Sequence, residues 1–171
     1  MLKNILITGK PGSGKTTLIK ELMKCLDDIC GFYTEEIRKG NERIGFLVKT
    51  TNNKEKLLAH INIKSPYRVN KYKVDVESFE EIVIPEIEEG IRKRTTIIID
   101  EIGKMELFSK KFQDIVLLAL STGLVLGTIS LKGDDFISKI KQREDVILYL
   151  LTFERYEAVK KEIQKQFVKC R

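Results

Sequence analysis

The sequence has three cysteines, a single histidine and no long apolar run, and each scarcity removes a class of protein. Cys25, Cys30 and Cys170 are odd in number and match no zinc-ligand spacing. Free thiols, buried or inert in a reducing compartment, are expected rather than a disulfide framework or a metal centre. His60 follows Leu57, Leu58 and Ala59 in a strand-like stretch. It is expected to be packed or surface-exposed rather than catalytic. No apolar stretch approaches the roughly 20 residues of a membrane span. The opening MLKNILITGK lacks a signal-peptide cleavage region. A cytoplasmic protein without membrane association is the expectation.

Hydrophobic residues make up 42% of the chain and charged residues 33%, a globular balance. The 171 residues suffice for one α/β domain spanning 1–171, expected as a monomer. The net charge of +6 could attract nucleic acid. The lysines, however, are interleaved with glutamates, as in RYEAVKKEIQKQ, with no compact basic stripe or aromatic ladder. The pattern reads as a solvated surface that also suits polyanionic nucleotides, and nucleic acid is not the favoured partner.

Periodicity gives an alternating order. An apolar strand over Leu2–Thr8 precedes a helix over Thr16–Asp27 with Leu18, Leu22, Cys25 and Leu26 on one face. Gly31–Arg38 and Glu42–Thr51 flank the turn residues Lys39, Gly40 and Asn41 and read as a hairpin. A further strand covers Leu57–Ile63, and Ser65–Tyr72 reads as loop around Pro66. Val76–Arg92 has a helical pattern that Pro85 should stop, kink or restart. TTIIID, ending at Asp100, suits a strand buried on both faces. Phe108, Phe112, Ile115, Val116 and Ala119 mark a helix. A strand over Gly123–Ser130, a helix over Asp134–Arg143, a strand over Val146–Thr152 and a helix over Glu154–Val168 follow. Alternation of this kind predicts an α/β three-layer sandwich of the P-loop type. Its sheet is mostly parallel, with helices on both faces and an antiparallel hairpin inserted after the first helix.

Gly9, Lys10, Pro11, Gly12, Ser13, Gly14, Lys15 and Thr16 read GKPGSGKT between a strand and a helix, fitting G-x4-G-K-[ST]. Glycines let the backbone wrap with N–H groups turned inward, and the following helix aims its N-terminal dipole at phosphates. Lys15 is the expected partner of the β- and γ-phosphates, and Thr16 of Mg²⁺. Asp100, ending its buried strand, fits the second Mg²⁺ position. Glu101 beside it suits a proton acceptor for an attacking water. Thr128 and Ser130 end the next strand and are candidates to sit near the γ-phosphate. Arg38, Arg68, Arg143 and Arg155 are candidates to meet transition-state charge. A capping role for Asp100 and Glu101 is the structural alternative. A small-molecule or nucleotide kinase and a nucleic-acid-coupled ATPase are the functional ones.

ITGKPGSGKTTL, GFYTEEIR (Gly31–Arg38), KYKVDVESFE (Lys71–Glu80), IIIDEIGKME (Ile97–Glu106) and VLGTIS (Val125–Ser130) occur in this order. Together they resemble the small nucleoside-triphosphatase family of thermophiles and archaea that includes the human cancer-related nucleoside-triphosphatase. The resemblance implies slow, Mg²⁺-dependent hydrolysis of ATP, GTP, CTP, UTP and TTP to the diphosphate and phosphate. It places nucleotide binding on Gly9–Thr16, with Thr17, and on Ile99, Asp100, Glu101, Ile102, Gly103, Lys104, Met105 and Glu106. Lys15, Asp100 and Glu101 carry the chemistry. The sequence departs from the family around Asn70–Val74 and in LKGDDF after Ser130. Both departures bear on base contacts and on any loop-borne arginine. Independently, Asn70–Lys73 reads NKYK, lacking the aspartate of an N-K-x-D guanine clamp, so weak base discrimination is expected.

Overall fold

The computed structural model describes residues 2–169, with side chains through 167, so the thiol expected at Cys170 lies outside the described residues. Each apolar run expected as a strand joins one mixed sheet. The strands are β1 (Asn4–Thr8), β2 (Ile29–Lys39), β3 (Glu42–Thr50), β4 (Glu55–His60), β5 (Arg68–Val69), β6 (Tyr72–Val74), β7 (Thr96–Ile102), β8 (Val125–Ile129) and β9 (Val146–Leu150). The helices are α1 (Lys15–Met23), α2 (Val76–Lys93), α3 (Lys110–Ser121), α4 (Asp135–Lys141) and α5 (Tyr156–Lys169). Among the described residues the strand order is β5-β6-β4-β3-β2-β7-β8-β1-β9. β2, β7, β8, β1 and β9 run parallel, and β3 to β6 form an antiparallel wing.

The parallel strands are apolar on both faces because both are covered. Ile97 and Ile99 face a cluster with Phe79, Ile87, Phe112, Val116 and Ile137 from α2, α3 and α4. Ile98 faces the opposite way, with Leu18, Leu22, Val159 and Ile163 from α1 and α5. Asn4, polar yet fully buried, is satisfied by the carbonyls of Leu120 (2.8 Å) and Asp145 (3.1 Å) and by the Val125 N–H (3.1 Å). It ties the starts of β1, β8 and β9 together. No helix among the described residues is long and apolar enough to cross a membrane.

The expected antiparallel hairpin after α1 is present as β2–β3, and the first residues of β2, Ile29–Phe32, also pair in parallel with Thr96–Ile99. At 11 residues β2 is long enough to serve both partners. Three expectations need correction. Pro85 neither stops nor restarts α2, which runs unbroken from Val76 to Lys93. Pro85 is exposed, and Phe79, Ile82, Val83 and Ile87 fasten the turns on both sides of it to the core. The backbone group that proline leaves unpaired therefore faces water. The expected loop at Ser65–Tyr72 contains a small hairpin. Asn70, at φ 52°, supplies a left-handed turn between β5 and β6, and Tyr72 and Val74 are buried. Phe108 lies before α3, in a 3-10 turn over Glu106–Phe108, because Ser109 caps α3 by accepting the Phe112 N–H at 3.0 Å.

Cys25 is an exposed free thiol and Cys30 a buried one. His60 is half-buried at the end of β4, where its Nδ1 accepts the Asn62 N–H at 3.0 Å.

Candidate active site

Residues 9–14 leave the end of β1 and enter α1, as the motif requires. Gly12 and Gly14 hold φ of 78° and 95°, conformations costly for any residue with a Cβ. Gly9 has no room for a side chain, since a Cβ would stand 2.6 Å from the Leu151 carbonyl oxygen and 2.8 Å from Ser13 Oγ. Lys10, Pro11 and Gly12 are exposed at the mouth, with Thr17 on the outer side of α1. Lys15 opens α1 and folds its ammonium onto the carbonyls of Gly9 (2.9 Å) and Lys10 (3.3 Å). Ser13 Oγ is buried with no hydrogen-bond partner among the described residues. An acceptor lodged in the loop would satisfy it.

Across from the loop, Asp100 and Glu101 lie near the end of β7, where its register with β8 shifts between Ile99 and Ile102. Asp100 is 1% exposed. It accepts hydroxyl bonds from Thr16 at Oδ2 (2.8 Å) and Thr128 at Oδ1 (2.7 Å), and Thr34 N–H approaches Oδ2 at 3.5 Å. Burial raises its carboxyl above the ordinary range, while these donors and the Lys15 charge pull it back. Glu101 accepts from Ser130 Oγ at 3.1 Å. Burial first and the neighbouring Asp100 second push Glu101 upward too, against the charges of Lys15 and Lys141.

Glu106, close to this pair, is a buried carboxyl, 5% exposed. Burial and Glu101 raise it well above the ordinary range, against bonds from its own N–H and that of Gly103. Gly103 stands between these groups. A Cβ there would lie 2.6 Å from Glu101 Oε1 and 3.1 Å from both Glu106 Oε2 and Ser130 Oγ. The remaining motif residues divide by environment. The side chains of Ile99 and Ile102 are core, Met105 packs against the core, and Lys104 is exposed.

Thr16 and Asp100 are therefore brought together in a geometry that fits Mg²⁺. A hydroxyl and a carboxylate oxygen lie 2.8 Å apart beside the phosphate loop. An ion there needs only these ligands, phosphate oxygens and water. Among the described residues no group of three His, Cys, Asp or Glu side chains is arranged as a metal cage.

None of the four arginine candidates contacts Asp100 or Glu101 among the described residues, and Arg68 comes nearest, in the cleft beside Lys104. Arg38 is bound to Glu36 and the Asn41 carbonyl in the hairpin, and Arg143 forks onto Asp145 (2.8 and 2.6 Å) at the opposite end of the sheet. Arg68 donates to the Asn70 carbonyl at 2.5 Å. Arg155 is exposed next to Tyr156, whose ring lies against Gly14 on the β9 side. Sequence reasoning missed the Thr34 N–H, the place of Gly103 and the proximity of Lys141. Thr34 sits in the motif GFYTEEIR and Gly103 in IIIDEIGKME, whereas Lys141 lies in no motif.

A family model described as NTPase matches residues 4–164. Nucleoside-triphosphatase THEP1 of Thermotoga maritima is 45% identical over 160 residues, covering 93% of this chain and 92% of its own. The human cancer-related nucleoside-triphosphatase is 39% identical over 90% of each chain. A crystal structure of THEP1 from the hyperthermophile Aquifex aeolicus superposes with a TM-score of 0.87 at 38% identity, covering 94% of this chain and 96% of that one. A solution structure of the human protein gives 0.81 at 35% identity over 99% of both. The resemblance and the three-layer fold expected from the motifs are both borne out, and the chain belongs to the NTPase family of THEP1-type nucleoside-triphosphatases.

Proposed function

We propose that the protein, as a single domain, hydrolyses ATP, GTP, CTP, UTP and TTP to the diphosphate and phosphate in a Mg²⁺-dependent reaction. The observation that carries this reading is Glu101. It is a half-buried carboxylate held by Ser130, next to Asp100, near the strand end facing the phosphate loop. A carboxylate placed here can take a proton from a water attacking the γ-phosphate.

The loop N–H groups and the start of α1 bind the phosphates. Lys15 leaves the Gly9 and Lys10 carbonyls for the β- and γ-phosphate oxygens. Thr16 and Asp100 would hold the Mg²⁺, which would supply charge neutralisation to the phosphates. Glu101 orients a water and takes its proton as the oxygen bonds to the γ-phosphorus. The bond from phosphorus to the bridging oxygen breaks, and its electron pair leaves with the diphosphate. Ser130 fixes the Glu101 oxygen during this step.

Broad base use rests on two observations. Asn70–Lys73, the stretch nearest to a guanine clamp, is spent on the β5–β6 turn. Phe153, 90% exposed, lies in the segment joining β9 to α5, beside the phosphate loop, where it can stack on any base.

One observation favours a second reading, phosphoryl transfer to an acceptor. A cleft of about 700 Å³, lined by Arg68, Asn70, Lys104, Phe108, Lys132 and Asp134, opens beside the Gly103 turn. Phosphate release from a panel of triphosphates, with and without Mg²⁺ and candidate acceptors, separates the two. Glu101→Gln should keep Mg²⁺–nucleotide binding while kcat falls about 10²–10⁴-fold. Turnover of that variant at the parent rate would remove Glu101 from the reaction.

A further inference from the structure

The γ-phosphate acquires charge on its peripheral oxygens as the bridging bond breaks, and phosphoryl-transfer sites meet this charge with a second cation. Arg38 is held by a carboxylate in the hairpin and Arg143 by one at the far end of the sheet, Arg68 is turned onto the Asn70 carbonyl at 2.5 Å in the β5–β6 turn, and Arg155 stands on the β9 side. β1 lies between β8 and β9, and Glu101 and Ser130 are on the β8 side. The γ-phosphate end of the site is therefore on the β8 side, and Arg155 flanks the opposite, nucleoside end.

We propose that Lys141, from α4, is the cation that contacts the γ-phosphate oxygens in the transition state. This inference rests on the hydrolase reading above.

Helical side chains lean toward the N-terminus of their helix. Lys141 is the last residue of α4, so its stem runs back along the helix toward the strand ends. Its ammonium donates to the Leu131 carbonyl at 2.7 Å. Leu131 directly follows Ser130, whose hydroxyl holds Glu101 Oε1 at 3.1 Å. The ammonium thus sits on the same short loop as the partner of the proposed base.

Lys141 makes no ion pair within 4 Å among the described residues, unlike Arg38 and Arg143. One of its three N–H donors is used by Leu131, which leaves two for phosphate oxygens. Lys15 reaches the phosphates from the P-loop, and Lys141 comes from the end of α4, its ammonium over the β8–α4 loop on the side of the attacking water. The two cations bracket the transferred group. Neither bonds to phosphorus, and the proton and electron pair move as described above.

The test compares the parent with Lys141→Met and Lys141→Arg. Methionine keeps the length and apolar stem at a half-buried position, so the melting temperature should hold. For Lys141→Met, kcat should fall about 10²–10³-fold while binding of a non-hydrolysable ATP analogue stays within about threefold. Affinity for ADP–aluminium fluoride with Mg²⁺ should fall in parallel with kcat, and Lys141→Arg should recover most of both. Parent-like turnover by Lys141→Met refutes the assignment. So does an equal loss of analogue and aluminium fluoride binding, which would mark ground-state binding alone. A parent that releases no phosphate from any triphosphate refutes the hydrolase reading and this inference with it, whereas an active parent with an equally active Lys141→Met refutes this inference only.

Discussion

Replacing Gly103 with alanine tests the placement of Glu101 with a single methyl group. The added Cβ would stand 2.6 Å from Glu101 Oε1, about 0.8 Å inside the 3.4 Å at which ordinary contact begins. Its contacts with Glu106 Oε2 and Ser130 Oγ, at 3.1 Å, are only slightly short. Glu101 must therefore move, and it moves away from the Ser130 hydroxyl that fixes it. The backbone itself is no obstacle, because Gly103 is not in the left-handed region. A misplacement near 1 Å in a reacting group costs about 10²-fold. Gly103→Ala should thus lower kcat by about 10–100-fold, roughly 1.4–2.7 kcal/mol of transition-state stabilisation. The phosphate loop, Thr16 and Asp100 are not touched, so Mg²⁺–nucleotide affinity should stay near the parent value. Single-turnover phosphate release, paired with equilibrium binding of a fluorescent nucleotide, separates the two quantities. An alanine variant with the parent's turnover would show that Glu101 need not occupy its observed place, and the proton-transfer role would fall.

Gly31→Ala is expected to act on the fold instead. Gly31 has φ 136°, and a Cβ there would collide with the Ile98 carbonyl oxygen in the neighbouring strand. Strain and collision together should cost more than about 3 kcal/mol, read as a lower urea midpoint, and a midpoint near the parent's would contradict the β2–β7 contact. Glu106→Gln addresses pH. The folded-state carboxyl is raised well above its ordinary 4.5, so the native state holds the proton more tightly than the unfolded chain does. That contribution to stability is complete below 4.5 and is lost as pH climbs through the folded value. Urea midpoints at pH 5 and pH 8 should show the parent losing ground to the glutamine variant at the higher pH, and a constant gap would refute the burial argument.

The legible parts of this protein are those whose physics is local. GKPGSGKT needs its glycines for backbone shape, and TTIIID needs apolar residues toward both faces, so each announces itself in a short window. Misreadings arose where a contact that periodicity does not encode decides. Pro85 is tolerated because it faces water, which depends on how α2 docks. Tyr72 and Val74 become strand because β4 is there to pair with β6. Phe108 falls outside α3 because Ser109 takes the cap. In the site, the Asp100–Glu101 pair was legible as adjacent carboxylates at a strand end. The burial of Glu106 against Gly103 was not, nor was the reach of Lys141 to Leu131, ten residues earlier in the chain.

The sheet order has a consequence for synthesis. β1 is made first, yet both of its neighbours, β8 and β9, are made last. Until residue 125 leaves the ribosome, the strand NILIT has neither hydrogen-bonding edge satisfied, and the Leu151 carbonyl that closes on Gly9 comes later still. The wing β2–β3–β4 can pair from neighbouring segments long before then. A nascent chain stalled before β8 should therefore carry a formed wing and an unpaired apolar strand, a substrate for chaperones rather than for nucleotide.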